Sequence, residues 1–196
     1  MTVSVSILTG PSIRAVLPDL ARLRIEVFRD WPYLYDGSYD YEQDYFSMFA
    51  ESAGAVVVAA RDGGRIVGAA TAVPMGGHAE EFAAPFLARG EDVSHIFYLG
   101  ESVLLPSYRG RGLGNAFFEG REAHARAIGG FTHAAFCSVV RSTTDPRRPP
   151  GYRPLDEFWR KRGYAPVPGL VGSFEWLDLG ETAETAKPMQ YWMKAL

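Results

Sequence analysis

Apolar and polar residues alternate from Val3 to Leu8, a period of two that predicts a first strand. Gly10-Pro11-Ser12 breaks the run. Ser12 is placed to cap a helix continuing past Pro18 to about Arg29, with Leu20, Leu23, Val27 and Phe28 as its apolar stripe. Asp40 and Gln43 have capping-box spacing before a second helix, about Tyr41 to Ser52, in which Tyr45, Phe46 and Phe49 share a side. Two β-rich runs, Ala55–Ala60 and Ile66–Val73, flank Asp62-Gly63-Gly64-Arg65 and predict a hairpin. An irregular helix containing Pro85 is expected over Glu80–Arg89. A buried strand follows at Phe97–Leu105, then a glycine-rich turn, then a helix over Leu113–Ala127 closed by Gly129-Gly130. Thr132–Val140 is the next strand, Arg141–Pro154 a long Pro- and Arg-rich loop, and Leu155–Arg162 a short helix stopped by Gly163. Ser173–Leu177 and Met189–Lys194 are expected to close the chain as an antiparallel pair joined by a loose connection. The pattern alone implies α+β or α/β architecture with one mixed sheet.

The chain has 196 residues, 47% of them hydrophobic, which suits a single domain over the whole length, 1–196, with one full core. A net charge of −3 gives no electrostatic reason to expect nucleic acid or an anionic membrane as partner. One cysteine, Cys137, excludes an internal disulfide framework and fits a reducing compartment. The start, Met1-Thr2-Val3-Ser4, lacks the basic and apolar regions of a signal peptide, and no apolar run approaches the ~20 residues that span a bilayer. A soluble cytoplasmic protein is therefore expected. His78, His95, His124 and His133 lack metal-ligand spacing, so no metal is expected.

The segment Pro106-Ser107-Tyr108-Arg109-Gly110-Arg111-Gly112-Leu113-Gly114-Asn115 changes the picture most. Strand, glycine-rich turn and helix in that order present unpaired backbone N–H groups at a helix N-terminus, a site for phosphate oxygens. A P-loop needs Gly-Lys followed by Ser or Thr, and no Lys is present. A dinucleotide fingerprint fails because Asn115 stands where its third small residue belongs. Arg109, Gly112 and Gly114 satisfy Arg-x-x-Gly-x-Gly, and here the chain resembles the GNAT superfamily of N-acetyltransferases. The element order resembles that family along the full length. The resemblance implies a mixed, largely antiparallel sheet flanked by helices, whose fourth and fifth strands splay apart around the pantetheine arm of acetyl-CoA. It further implies that Arg109, Gly110, Arg111, Gly112, Leu113, Gly114 and Asn115 hold the pyrophosphate. Main-chain amides near Leu104 or Leu105 would face the acetyl and pantetheine groups.

Acetyl transfer to an amine needs an acceptor for the amine proton, a donor to the carbonyl oxygen and, in some enzymes, an acid for the leaving thiolate. Glu101, in the apolar run Tyr98–Leu105, is the candidate base, because burial is expected to raise its pKa. The other reading has Glu101 facing the opposite side and satisfying an Arg or a backbone group; Gly100 permits a bulge, so alternation does not settle its facing. The family's usual tyrosine acid is replaced here by Trp159, whose indole cannot protonate a thiolate. Tyr152 is the leading substitute, with Tyr98 and Ser102 behind it, and loop packing is the competing role for Tyr152. Cys137 is expected to be a buried structural thiol.

Residues from Asp30 to Ala60 include no Lys or Arg, and the stretch from Trp31 to Tyr45 is dense in aromatics and carboxylates. Trp31, Tyr33, Tyr35 and Asp36 are candidate contacts for a small cationic amine, through ion pairing and cation–π contact; a packed helix connection is the alternative. Arg141, Arg147, Arg148 and Arg153 either meet the 3′-phosphate of coenzyme A or an anionic part of the acceptor, or form a solvated loop. Rival functions are acetylation of a protein N-terminus or lysine, and non-catalytic coenzyme A binding. A monomer or homodimer is expected, with Met189–Lys194 either an exposed pairing edge or covered.

Overall fold

A computed structural model describes residues 3–78 and 80–196, with the side chains of 77, 78 and 80 outside the description. Met1 and Thr2, used above for the N-terminal reading, and the His78 side chain therefore lie outside the described residues. The chain runs β1 (Val3–Thr9), α1 (Pro11–Arg14), α2 (Leu17–Phe28), α3 (Tyr39–Glu51), β2 (Val56–Asp62), β3 (Arg65–Pro74), α4 (Met75–His78) and α5 (Glu80–Leu87). It continues with β4 (Ile96–Leu104), a 3-10 turn at Pro106–Tyr108, α6 (Leu113–Ile128), β5 (His133–Val139), α7 (Asp156–Lys161), β6 (Ala165–Trp176) and β7 (Thr185–Ala195).

The seven strands form one sheet in the order β1-β2-β3-β4-β5-β7-β6. All neighbours are antiparallel except β4 and β5, which pair in parallel over only three positions, Ile96↔His133, Phe97↔Ala134 and Tyr98↔Ala135. Past Tyr98 and Ala135 the two strands separate, and the splay expected from the family resemblance is present. β2 and β3 are covered on both faces, which accounts for their uninterrupted apolar runs. One core cluster packs α1, α2 and α3 against the first strands; a second gathers Phe118, Phe136, Tyr164 and Trp192 from α6, β5, β6 and their surroundings.

Several boundaries differ from the sequence reading for local reasons. The predicted first helix is two, because Pro18 lacks a backbone N–H and sits in the first turn of α2, where none is needed. Ser12 does not cap it; its hydroxyl donates to Thr9 O at 2.7 Å. Ser38 rather than Asp40 caps α3, accepting from Tyr41 N at 3.4 Å. β6 is far longer than Ser173–Leu177, its first half hidden in sequence by Pro166, Pro168 and Gly169, where the register with β7 breaks. The Met189–Lys194 run is not a free edge: β7 lies between β5 and β6.

Candidate active site

A cleft of about 1590 Å³ opens where β4 and β5 part, and β4, β5, the glycine turn, α6 and the loop after Phe28 all contribute to its walls. At one end, Gly110 and Gly112 take positive φ values of 76° and 80°. Gly112 is the N-cap of α6, has no side-chain cap and leads into a first turn without acidic residues. The amides at this N-terminus are thus open toward the cleft, as anion binding requires. Arg109, Gly110, Gly112, Leu113, Gly114 and Asn115 line it. The Arg111 side chain turns away, donating to Ser107 O at 3.0 Å and covering the Tyr108 ring. Asn115 Oδ1 accepts from Arg162 at 3.3 Å.

The expected carbonyl donor resolves to one residue of the two. Leu105 N–H is already committed to Val67 O at 3.0 Å. In an antiparallel ladder, bonded and non-bonded pairs alternate, so the neighbouring pair Gly68↔Leu104 leaves the Leu104 amide directed away from β3, toward the gap.

Glu101 sits at a bulge. Ala70 pairs with Ser102 and Ala72 with Leu99, so Gly100 and Glu101 together oppose Thr71. A Cβ on Gly100 would lie 2.6 Å from Thr71 Oγ1, and only glycine fits there. The Thr71 hydroxyl accepts from Glu101 N at 3.0 Å and donates to its carboxylate. Tyr45 donates to Glu101 Oε1 at 2.8 Å, and the Arg24 guanidinium ion-pairs with the same oxygen. Arg121, 1% exposed, donates to the carbonyls of Thr71 and Glu101 at 3.2 and 3.3 Å and pins the bulge from α6. Burial lowers the Arg121 pKa to about 10.

This corrects the expected electrostatics. Burial does act to raise the Glu101 pKa, but Arg24, then Thr71 and Tyr45, outweigh it and hold the carboxyl below its ordinary value. Glu101 lines the cleft as a carboxylate held by Arg24, Tyr45 and Thr71. Arg24, Thr71 and Arg121 escaped sequence reading, since nothing in their spacing links α2, β3 and α6 to β4.

Tyr152 is half-buried in the cleft wall, its ring edge-on to Trp31 at 6.1 Å and beneath Arg148 at 5.7 Å. Desolvation, then Asp156, raises its pKa. Trp159 is packing, 5.1 Å from both Phe136 and Trp192. Tyr98 Oη lies 3.1 Å from Cys137 Sγ where the strands part; Cys137 is partly buried against the core and also lines the cleft, and burial pushes its pKa up to about 12.

Trp31, Tyr33, Tyr35 and Asp36 all line the same cleft. Their loop is tied to the connection between β6 and β7: Arg141 grips fully buried Asp178 at 2.8 and 2.9 Å while donating to the carbonyls of Pro32 and Tyr33, both at 2.8 Å. Arg147 and Lys187 complete this hub at 3.0 and 3.3 Å. Arg141 lines the cleft but is committed to Asp178 and two main-chain carbonyls, Arg147 bridges Asp145 and Asp178 from an exposed position, and Arg148 and Arg153 line the cleft without a carboxylate partner among the described residues. Among the described residues no cluster of His, Cys, Asp and Glu is placed to hold a metal, and no helix is long and apolar enough to cross a membrane.

The family model described as "Acetyltransferase (GNAT) family" matches residues 19–148. No curated protein matches the chain in sequence. Solved structures share the fold at low identity. An acetyltransferase of the GNAT family from Streptococcus pneumoniae is 14% identical, with TM-score 0.59 and coverage of 100% of this chain and 99% of that one. A ribosomal-protein-alanine N-acetyltransferase from Brucella melitensis is 15% identical, with TM-score 0.61 and coverage of 97% and 99%. An IAA acetyltransferase from Bacillus cereus is 12% identical, with TM-score 0.54 and full coverage of both chains. Such different acceptors on one scaffold mean that the fold carries no information about the acceptor. The family match, the parted β4 and β5 and the open glycine turn at α6 agree: the chain belongs to the GNAT acetyltransferase family and is an acyltransferase.

Proposed function

We propose that the protein transfers the acetyl group of acetyl-CoA to a small cationic amine, by direct attack of the amine on the thioester. Acetyl-CoA is the co-substrate implied by the family. The turn Arg109–Asn115 would take its diphosphate on main-chain amides, and the Leu104 amide would donate to the thioester oxygen as charge develops there.

The observation that carries the acceptor class is the set of carboxylates that line the cleft and have no cationic partner among the described residues. Arg109, Arg148 and Arg153 line it and have no carboxylate partner among the described residues. So do Glu81, Glu175 and Glu184, which have no cationic partner among the described residues. The three carboxylates lie on α5, at the end of β6 and just before β7. Desolvation first, then Glu81, Glu42 and Glu184 against an opposing Arg24, raises the Tyr41 pKa. Unpaired carboxylates and aromatic rings in one cleft suit a cationic amine, and the unpaired arginines suit the phosphates of the co-substrate. The Trp31 indole N–H is buried without an acceptor among the described residues, and a ligand carbonyl would satisfy it.

In this reading the amine lone pair attacks the carbonyl carbon, the C–S bond breaks, and coenzyme A leaves as the thiolate. Nitrogen becomes positively charged as the C–N bond forms, and Glu101 is placed to stabilise that charge and take its proton. Tyr152 is the candidate donor to the thiolate. E101Q is expected to lower turnover about 100-fold or more while acetyl-CoA affinity stays within about twofold; unchanged turnover removes Glu101 from the chemistry. The acceptor class is tested by thiol release with matched amines: polyamines and other cationic amines are expected to lead. Faster release with neutral or anionic amines, or with peptides alone, refutes it.

A further inference from the structure

The cleft wall contains a largely buried arginine set between two carboxylates. Arg24, on α2, is 15% exposed and faces two carboxylates from different elements. Its Nη1 meets Glu101 on β4, and its Nε lies 2.6 Å from Glu42 on α3, itself 0% exposed. The Glu42 contact is out of line for a hydrogen bond, and neither Glu42 oxygen accepts one among the described residues. The guanidinium is enclosed by Tyr45, Phe28, Phe46 and Tyr35, with centroids 4.8, 5.3, 5.8 and 6.0 Å away. A cation in such a cage is fixed laterally by the rings and axially by its anions.

We propose that Arg24 is the positioning residue of this site: by bridging Glu42 and Glu101 it fixes the Glu101 carboxylate as an anion facing the acceptor. The inference deepens the acetyl-transfer reading above. A held anion can accept an ammonium without first losing its own proton, whereas a carboxyl in the same apolar strand without Arg24 would be neutral in part of the working range. Other groups acting on Glu101 are Tyr45 and Glu42 from α3, Arg121 from α6, Tyr33 from the loop before α3 and Cys137 from β5. Of the two cations, Arg121 reaches only main-chain oxygens, so Arg24 is the one that contacts the carboxylate.

The test is carboxyl carbon-13 NMR of the full chain labelled at glutamate, with the Glu101 resonance assigned by its loss in E101Q. In the wild type the resonance is expected to stay flat between about pH 5 and pH 9, as for an anion throughout. In R24Q it is expected to titrate inside that window, its midpoint higher by about 1–3 pH units. R24K, which restores a point charge, is expected to return it toward the flat response. A flat response in R24Q, or a wild-type resonance that titrates within the window, overturns the proposal. T71V keeps the guanidinium and removes the hydroxyl, so it is expected to remain flat. A T71V resonance that titrates there assigns the charge to Thr71 instead and overturns the proposal even where R24Q does not fold. The readout uses neither acetyl-CoA nor an acceptor, so its failure is distinct from failure of the acetyl-transfer reading.

Discussion

Gly100 shows how one missing side chain sets the chemistry of the residue beside it. Thr71 Oγ1 occupies the space a Cβ would need, and that hydroxyl also holds both the amide and the carboxylate of Glu101. G100A is therefore expected to lower stability by about 1–3 kcal/mol, measured by denaturant unfolding, and to loosen Glu101 as Thr71 is displaced. Unchanged stability would mean that the bulge tolerates a side chain. At this scale the sequence was half legible. A lone carboxylate in an apolar strand marked Glu101, and Gly100 marked the bulge. The sign of the electrostatics was not legible, because Arg24 is 77 positions away and nothing local announces the pair. Arg121, 20 and 50 positions from Glu101 and Thr71, was hidden because its partners are carbonyls rather than charges.

At the scale of elements, the glycine turn was the most legible feature, because its geometry is local. Gly112 at φ 80° both ends the turn and starts α6, so its amide and those of Leu113 and Gly114 precede the first intrahelical bond, from Asn115 N to Gly112 O at 3.0 Å. G112A places a Cβ in the left-handed region at a cost of about 1–2 kcal/mol, and acetyl-CoA affinity is expected to fall about tenfold or more in calorimetry. Equal affinity would place the diphosphate elsewhere. The first half of β6 was illegible, since Pro166, Pro168 and Gly169 suppress every strand signal, and tertiary pairing with β7 overrides them. The loop from Trp31 to Asp36 was recognised as a cleft wall but not as a tethered one. Its anchors, Arg141 and Asp178, come from the loop after β5 and the connection before β7.

For the whole molecule, the buried charges govern the response to acid. Burial acts to raise the Asp178 pKa, but Arg141, Lys187 and Arg147 outweigh it and hold the carboxyl low; Glu101 is lowered likewise. A lowered carboxyl contributes stability above its unfolded pKa of about 4, and loses it as pH falls through the folded value. Glu42, raised by burial, acts in the opposite sense. D178N leaves Arg141 and Lys187 buried without their anion and is expected to lower stability by about 3–5 kcal/mol near neutral pH. The variant should also flatten the loss of Tm on acidification, and an acid slope equal to that of the wild type would contradict the hub. The splay was legible only through the family resemblance, and the strand order was not read at all; periodicity alone stopped at one mixed sheet, because it carries no information on which strands are neighbours.

The central claim is that the gap between β4 and β5 and the N-terminus of α6 form one site for an acyl-CoA. Titration calorimetry of the full chain with acetyl-CoA tests it most directly. A saturable single-site isotherm that is weakened in G112A is the predicted result; no heat at concentrations of about 1 mM would contradict it.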